Sequence, residues 1–221
     1  MRVLLLLSTI TVSQLLGVQG AQQATGAEAQ GHHRDSSAYI AMLENPERDS
    51  YQKPDEVVAA LDLKEGESIA DIGAGSGYFA FRFSKAVTGQ GKVFAVDINP
   101  DMIRHLNRQS RDLGTTNVVT ILAEEDDPLL PDRSIDRIFI CNTWHHIGDQ
   151  ESYLELIKQA LKPGGQVIMV DYKKIELPVG PPVPMKIAGS DLVAQMEKAG
   201  FQFLKRHEFL PYQYFFVFSV S

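Results

Sequence analysis

Apolar positions change their spacing along this chain in a regular way. From Lys53 onward, short runs of consecutive apolar residues alternate with stretches in which they recur every three or four positions. The first spacing suits a strand covered on both faces, the second a helix with one buried face. A helix is predicted over Pro54–Leu61, where Pro54 fits the first turn, Asp55 and Glu56 favour its N-terminus, and Val57, Val58 and Leu61 mark one face. Ser68–Ile72 reads as a buried strand, followed by a glycine-rich turn and a helix across Tyr78–Ala86. Lys92–Val96 is a second strand ending at Asp97, and Asn99 caps a helix begun by Pro100 and stopped by Gly114. Val118–Leu122 is the third strand, and Ile135–Cys141, interrupted only by Asp136 and Arg137, the fourth. Leu154, Ile157 and Leu161 form a helical stripe ended by Lys162-Pro163-Gly164-Gly165, with the next strand over Gln166–Val170. Ser190 is expected to cap a helix that Gly200 ends, and two β-rich stretches, Phe201–Phe209 and Gln213–Val220, flank Pro211. Such alternation predicts an α/β fold: a doubly wound, mostly parallel sheet with helices on both faces and a C-terminal antiparallel hairpin at one end.

The first residues follow a different pattern. Arg2 gives a positive start, Val3–Ile10 is almost wholly apolar, and Val18-Gln19-Gly20-Ala21 offers small residues where a signal peptidase reads, so residues 1–20 resemble a secretory signal peptide. Ser8, Thr9, Thr11, Ser13 and Gln14 break the run before the about 20 apolar residues that span a bilayer. The expected product is exported, periplasmic or secreted, with no stable membrane insertion after cleavage. Residues 21–37 read as a disordered polar linker, in which His32-His33 belongs to a solvated tail, and residues 38–221 as the folded domain.

Composition narrows the classes. With 44% apolar and 22% charged residues, 17 Gly and 11 Pro, the chain is neither collagen, coiled coil nor disordered throughout. Its 21 Lys and Arg against 28 Asp and Glu give a net charge of -7, with no basic cluster, so no nucleic acid partner is expected. Cys141, the single cysteine, excludes a disulfide scaffold and is expected to be a small core residue.

Candidate chemistry centres on Asp71-Ile72-Gly73-Ala74-Gly75-Ser76-Gly77 at the junction of the first strand and its helix. Glycines there let backbone pass close to a ligand, and the helix N-terminus offers free N–H groups. The spacing is GxGxG, not the GxGxxG of dinucleotide folds, and Asp97 lies 20 residues past Gly77, where a carboxylate can accept from ribose hydroxyls. This arrangement resembles the Rossmann-like class I S-adenosylmethionine-dependent methyltransferases. Pro131-Asp132-Arg133-Ser134-Ile135-Asp136, Trp144-His145-His146-Ile147 and Leu161-Lys162-Pro163-Gly164-Gly165 are similar to the type 11 group, which includes quinone-ring C-methyltransferases.

The resemblance implies S-adenosyl-L-methionine as cofactor and a small-molecule acceptor. By that resemblance Gly73, Gly75 and Gly77 shape the loop around the methionine part, Asp71 lies near its amino end, and Asp97 holds the ribose. Ile98 packs on the adenine, Glu124 faces the adenine amino group with Ala123 or Glu125 donating a backbone N–H, and Asn142 lines the other side. An acidic lining suits a sulfonium cation. His145 and His146, at the carboxyl end of a strand beside the donor, are candidate bases, and as neighbours they point in different directions, so no metal pair is expected. Arg48, Tyr51 and Trp144 are candidate acceptor contacts, Asp171 is a strand-end cap or an acceptor contact, and Leu177–Pro184 is a candidate wall. Two other classes remain: a non-catalytic module retaining a nucleoside pocket, and a nicotinamide oxidoreductase, disfavoured by the glycine spacing.

Overall fold

The structure, a computed structural model, describes residues 36–220, and its compact unit begins at Tyr39. The expected signal peptide and all of the linker up to residue 35 lie outside the described residues. No helix among the described residues is long and apolar enough to cross a membrane.

Seven strands form one sheet in the order β3-β2-β1-β4-β5-β7-β6: β1 Ser68–Ile72, β2 Lys92–Asp97, β3 Val118–Leu122, β4 Ile135–Cys141, β5 Leu161–Tyr172, β6 Phe201–His207 and β7 Gln213–Val220. The strands from β3 to β5 run parallel, and β7 is antiparallel to both β5 and β6. The hairpin therefore ends the sheet as expected, with the later strand inside and β6 outermost. The α-helices of the described residues include α1 Asp49–Gln52, α2 Pro54–Leu61, α3 Ala80–Val87, α4 Pro100–Asp112, α5 Gln150–Ala160 and α6 Gly189–Lys198.

Consecutive apolar residues work here because each strand serves two cores. Ile138 and Ile140 join one with Leu154 of α5 and Met196 of α6, while Phe139 between them joins the other with Val57 of α2 and Phe83 of α3. β7 divides likewise, Phe216 and Phe218 to one face and Phe215 and Val217 to the other. A side chain of this size contributes about 1.5–3 kcal/mol when fully buried, so the central strands anchor the fold.

Several boundaries differ from the sequence expectation: the helix expected across Tyr78–Ala86 spans Ala80–Val87, and the stretch expected to reach Phe209 ends as β6 at His207. Leu161 does not close the helical stripe; it starts β5 opposite Ile135, and Lys162–Gly165 form a bulge before Gln166 pairs with Arg137. Gly164, at φ 76°, makes that extra loop possible. Nor does Ser190 cap α6: Ala188 holds the N-cap position without a side-chain bond, and the Ser190 hydroxyl contacts Asp191. A Cβ on Gly189 would stand 2.9 Å from the Tyr214 ring, and the helix begins at this glycine, one residue before Ser190.

Candidate active site

The strand order reverses between β2-β1 and β4-β5, and a cleft of about 660 Å³ opens there above the carboxyl ends of the strands. On the β1 side it is lined by the glycine loop. Gly73 and Ala74 both donate their N–H to the Val96 carbonyl at 2.9 Å, which ties the loop to β2. Gly73 has φ 76° and Gly75 φ 55°; a Cβ on the first would stand 2.1 Å from Thr143 Oγ1, on the second 2.9 Å from Leu43 Cδ1. Gly77 does not line the cleft: a Cβ there would stand 2.4 Å from the Phe81 ring, so its role is close packing of loop on helix.

Two carboxylates face each other across this loop. Asp97 accepts from the Gly75 N–H at Oδ2 and the Asn99 N–H at Oδ1, each at 2.8 Å, while burial holds its pKa above the ordinary range. Asp71, 3% exposed, is pushed up to about 7 by burial and then by the charge of Asp97, against an N–H bond from Ala80. Beside them the buried Ser76 hydroxyl lines the cleft without a hydrogen-bond partner. Ile98, Glu124 and Glu125 continue the lining. The Ala123 N–H is taken by the Asp97 carbonyl at 3.0 Å, which leaves the Glu125 N–H as the candidate donor of that pair.

The opposite wall is made of side chains. Asn142, at φ 55°, accepts from Gln213 Nε2 at 2.7 Å; Gln52 Nε2 donates to Gln213 Oε1 at 3.1 Å; and Asn142 Nδ2 donates to Gln52 Oε1 at 3.4 Å. This ring of three amides joins α1, β7 and the end of β4, with Gln52 and Gln213 fully enclosed. Cys141, whose thiol burial raises far above its ordinary pKa, adjoins Gln52.

A one-turn 3-10 helix, Trp144–His146, follows. Trp144, 1% exposed, lies in the core and not on the cleft; its indole donates to Gln195 Oε1 at 3.0 Å, Gln195 to Gln150 Oε1 at 2.8 Å, and Gln150 back to the Trp144 carbonyl at 2.8 Å. This closed circuit removes Trp144 from an acceptor's reach. His145 also points inward, its Nδ1 3.0 Å from both oxygens of Asp171. Only His146 of the three lines the cleft, and its pKa is held below 6.5 by burial and then by repulsion from His145.

The N-terminal segment covers this space. Tyr39, Leu43 and Arg48 line the cleft. Arg48 donates to the Leu43 carbonyl at 2.6 Å and lies 4.0 Å from the centre of the Tyr78 ring, with Arg82 at 4.4 Å from the same ring and the Tyr78 hydroxyl donating to Asp49. Glu44 pairs with His105 and Gln109 of α4, each at 2.7 Å. Tyr51 stands outside the cleft, against Tyr212 at 5.7 Å and Tyr172.

The sequence reading passed over Gln52, Ser76 and the Asp171–His145 pair. The one signal available for the amide ring is Gln213, a lone polar residue opening the aromatic run Tyr214-Phe215-Phe216-Val217-Phe218.

A family described as "Methyltransferase domain" matches residues 63–203. A solved SAM-dependent methyltransferase from Aquifex aeolicus superposes with a TM-score of 0.79 at 29% identity, covering 83% of this chain and 98% of that one. A structure described as a type 11 methyltransferase from Sulfolobus solfataricus superposes with a TM-score of 0.62 at 24% identity, over 76% of this chain and 92% of the other. The ubiquinone/menaquinone biosynthesis C-methyltransferase UbiE of Pasteurella multocida (strain Pm70) is 29% identical over 113 residues, 51% of this chain and 42% of that protein. That of Francisella tularensis subsp. novicida (strain U112) is 27% identical over 125 residues, 56% of this chain and half of its own length.

Proposed function

We propose that this chain, which belongs to the methyltransferase-domain family, methylates a small-molecule acceptor outside the cytoplasm, with His146 taking the acceptor's proton. S-adenosyl-L-methionine is the methyl donor of the family. The cleft fits it: the two glycines leave room where a Cβ would collide, Ser76 offers an unused buried hydroxyl, and Asp71 and Asp97 suit a cation and a diol. Asp97 would hold the ribose, the loop and Asp71 the methionine part, and Arg48 its carboxylate. When bound, the cofactor supplies an electrophilic methyl group on a sulfonium and leaves as the thioether.

The remaining work falls to the protein. It aligns the acceptor atom, excludes water beneath Tyr39, Leu43 and Arg48, and receives a proton on His146 as the acceptor's lone pair forms its bond to carbon. A base in this place implies an acceptor with an O–H, N–H, S–H or acidic C–H. The observation that carries the reading is the placement of an exposed imidazole, that of His146, in the same cleft as the glycine loop and Asp97. The similarity to quinone C-methyltransferases supports quinols as the first acceptors to screen, followed by phenols and thiols. The leader-like residues 1–20 support export, and mass spectrometry of the mature N-terminus checks it: a soluble protein retaining Met1 removes export from the proposal.

Calorimetric titration tests the site. S-adenosylmethionine and S-adenosylhomocysteine are expected to bind and NADH not, and Asp97→Ala should weaken both by about tenfold or more through loss of charge-assisted hydrogen bonds. Unchanged affinity in that variant overturns the ribose assignment. Absence of binding by all three ligands favours the second reading, a non-catalytic module, for which the chain's retention of the glycine loop is the support.

A further inference from the structure

The turn after β4 presents one side chain to the cleft and has both others fastened from below. Trp144 closes its circuit through Gln195 and Gln150 of the flanking helices, and His145 is bonded to Asp171 at the end of β5. We propose that Asp171, acting through His145, is a positioning residue for His146 in methyl transfer. The inference rests on the reading of His146 as the base.

The geometry makes a chain of rigid contacts from β5 to the cleft. The Asp171 carboxylate accepts the N–H of Tyr172 at 2.8 Å, so its orientation is set by the strand itself. Both its oxygens take His145 Nδ1 at 3.0 Å, with the two side chains 6% and 3% exposed. The His145 ring lies 4.2 Å from that of His146, inclined at 43°. His146 thus turns against a wall that cannot itself rotate without breaking a buried charged hydrogen bond. A carboxylate kept from water costs several kcal/mol unless paired, and a pair of apolar side chains would hold the same space as well or better. A carboxylate bonded to an imidazole at this spot does what an apolar pair cannot, because it sets the field at the neighbouring imidazole as well as its direction. Burial first and then His145 lower the His146 pKa against the opposing pull of the Asp171 charge, and this lowering favours the neutral imidazole that can accept a proton.

The test needs no known acceptor. In protein labelled with nitrogen-15 at histidine and saturated with S-adenosylhomocysteine, the His146 signals are identified by their loss in His146→Gln and followed against pH. Asp171→Asn keeps the shape and one acceptor oxygen but removes the charge that favours the imidazolium, and is expected to lower the His146 midpoint by about half a pH unit. Asp171→Ala, which removes the bond as well, is expected to broaden or split those signals while S-adenosylhomocysteine affinity is unchanged. A His146 titration identical to wild type in a folded Asp171→Asn protein overturns the proposal, and that variant decides the matter even where Asp171→Ala does not fold. The two readings fail separately: transfer to quinol, phenol or thiol probes at full rate in His146→Gln overturns the base itself, whereas an enzyme that needs His146 but whose imidazole ignores Asp171 overturns the positioning alone.

Discussion

The wall of the cleft above β1 and β2 is made of backbone, and its contacts are close in sequence: the Gly75 N–H meets Asp97 22 residues away. The wall above β4 and β5 is backed by buried side chains whose partners come from across the chain, Gln52 with Gln213 161 residues apart and Trp144 with Gln195 51 apart. The first kind of wall depends on φ angles and on the absence of Cβ atoms, which residue type alone dictates. The second depends on complete satisfaction of buried polar groups, which only the finished fold supplies. One wall is therefore sensitive to added atoms and the other to lost ones.

Substitutions at matched positions break or sharpen this contrast. The largest effect is expected at Gly73→Ala, where a left-handed φ and a 2.1 Å approach to Thr143 combine; a loss of about 3 kcal/mol or more should appear in urea unfolding. Gly66→Ala, at φ +86° with nothing within 4 Å, should cost about 1 kcal/mol, and an equal loss at both sites would show that the contact with Thr143 is immaterial. Next comes Gln213→Leu in the other wall, which strands Asn142 Oδ1 and leaves Gln52 Nε2 only the Cys141 sulfur, and should cost about 2 kcal/mol; adding Gln52→Leu should cost less than the sum, and additive losses would deny that the amides act as a ring. The smallest effect is a pH slope. Burial and then Lys205 hold His207 of β6 below 6.5, so its share of stability is present above that pH and is lost as pH falls and the unfolded chain takes up the proton. His207→Phe should flatten the fall in denaturation midpoint between pH 7.5 and 5.5. Asp71 in the opposite wall has the reverse sign, its carboxyl raised to about 7, so that stability drains away as pH rises from the ordinary carboxylate range through neutrality.

The same contrast explains which features were legible. Pro54 and the runs at Ser68–Ile72, Val118–Leu122 and Ile135–Cys141 announce their elements locally, and the structure places those boundaries at the same residues. Leu161 is ambiguous because an apolar residue seven places after Leu154 and four after Ile157 satisfies a helix, and only its pairing with Ile135 makes it a strand. Ser190 has the right chemistry for a cap, but the helix begins one residue before it, at Gly189 against Tyr214. Gly73, Gly75, Asp71, Asp97 and Glu124 line one cleft at the ends of neighbouring strands, as spacing implies, while Gly77 does not. Whether Trp144, Tyr51 or either histidine faces a ligand depends on Gln195, Tyr172 and Asp171, and none of those partners is visible at the residue itself.

The placement of β7 between β5 and β6 has a consequence for how the molecule comes into being. Its residues leave a ribosome after those of the other six strands, yet they pair with two of those strands and carry Gln213 into the ring of amides. Until they arrive, β5 and β6 each present an unsatisfied edge, and the wall of the cleft nearest β4 has no floor. Assembly is thus arranged so that a nascent or truncated chain ending before Gln213 is both sticky and unable to close its site, and long-range pairing of this kind slows the final step. Competence to bind arrives with the closing strand and not before.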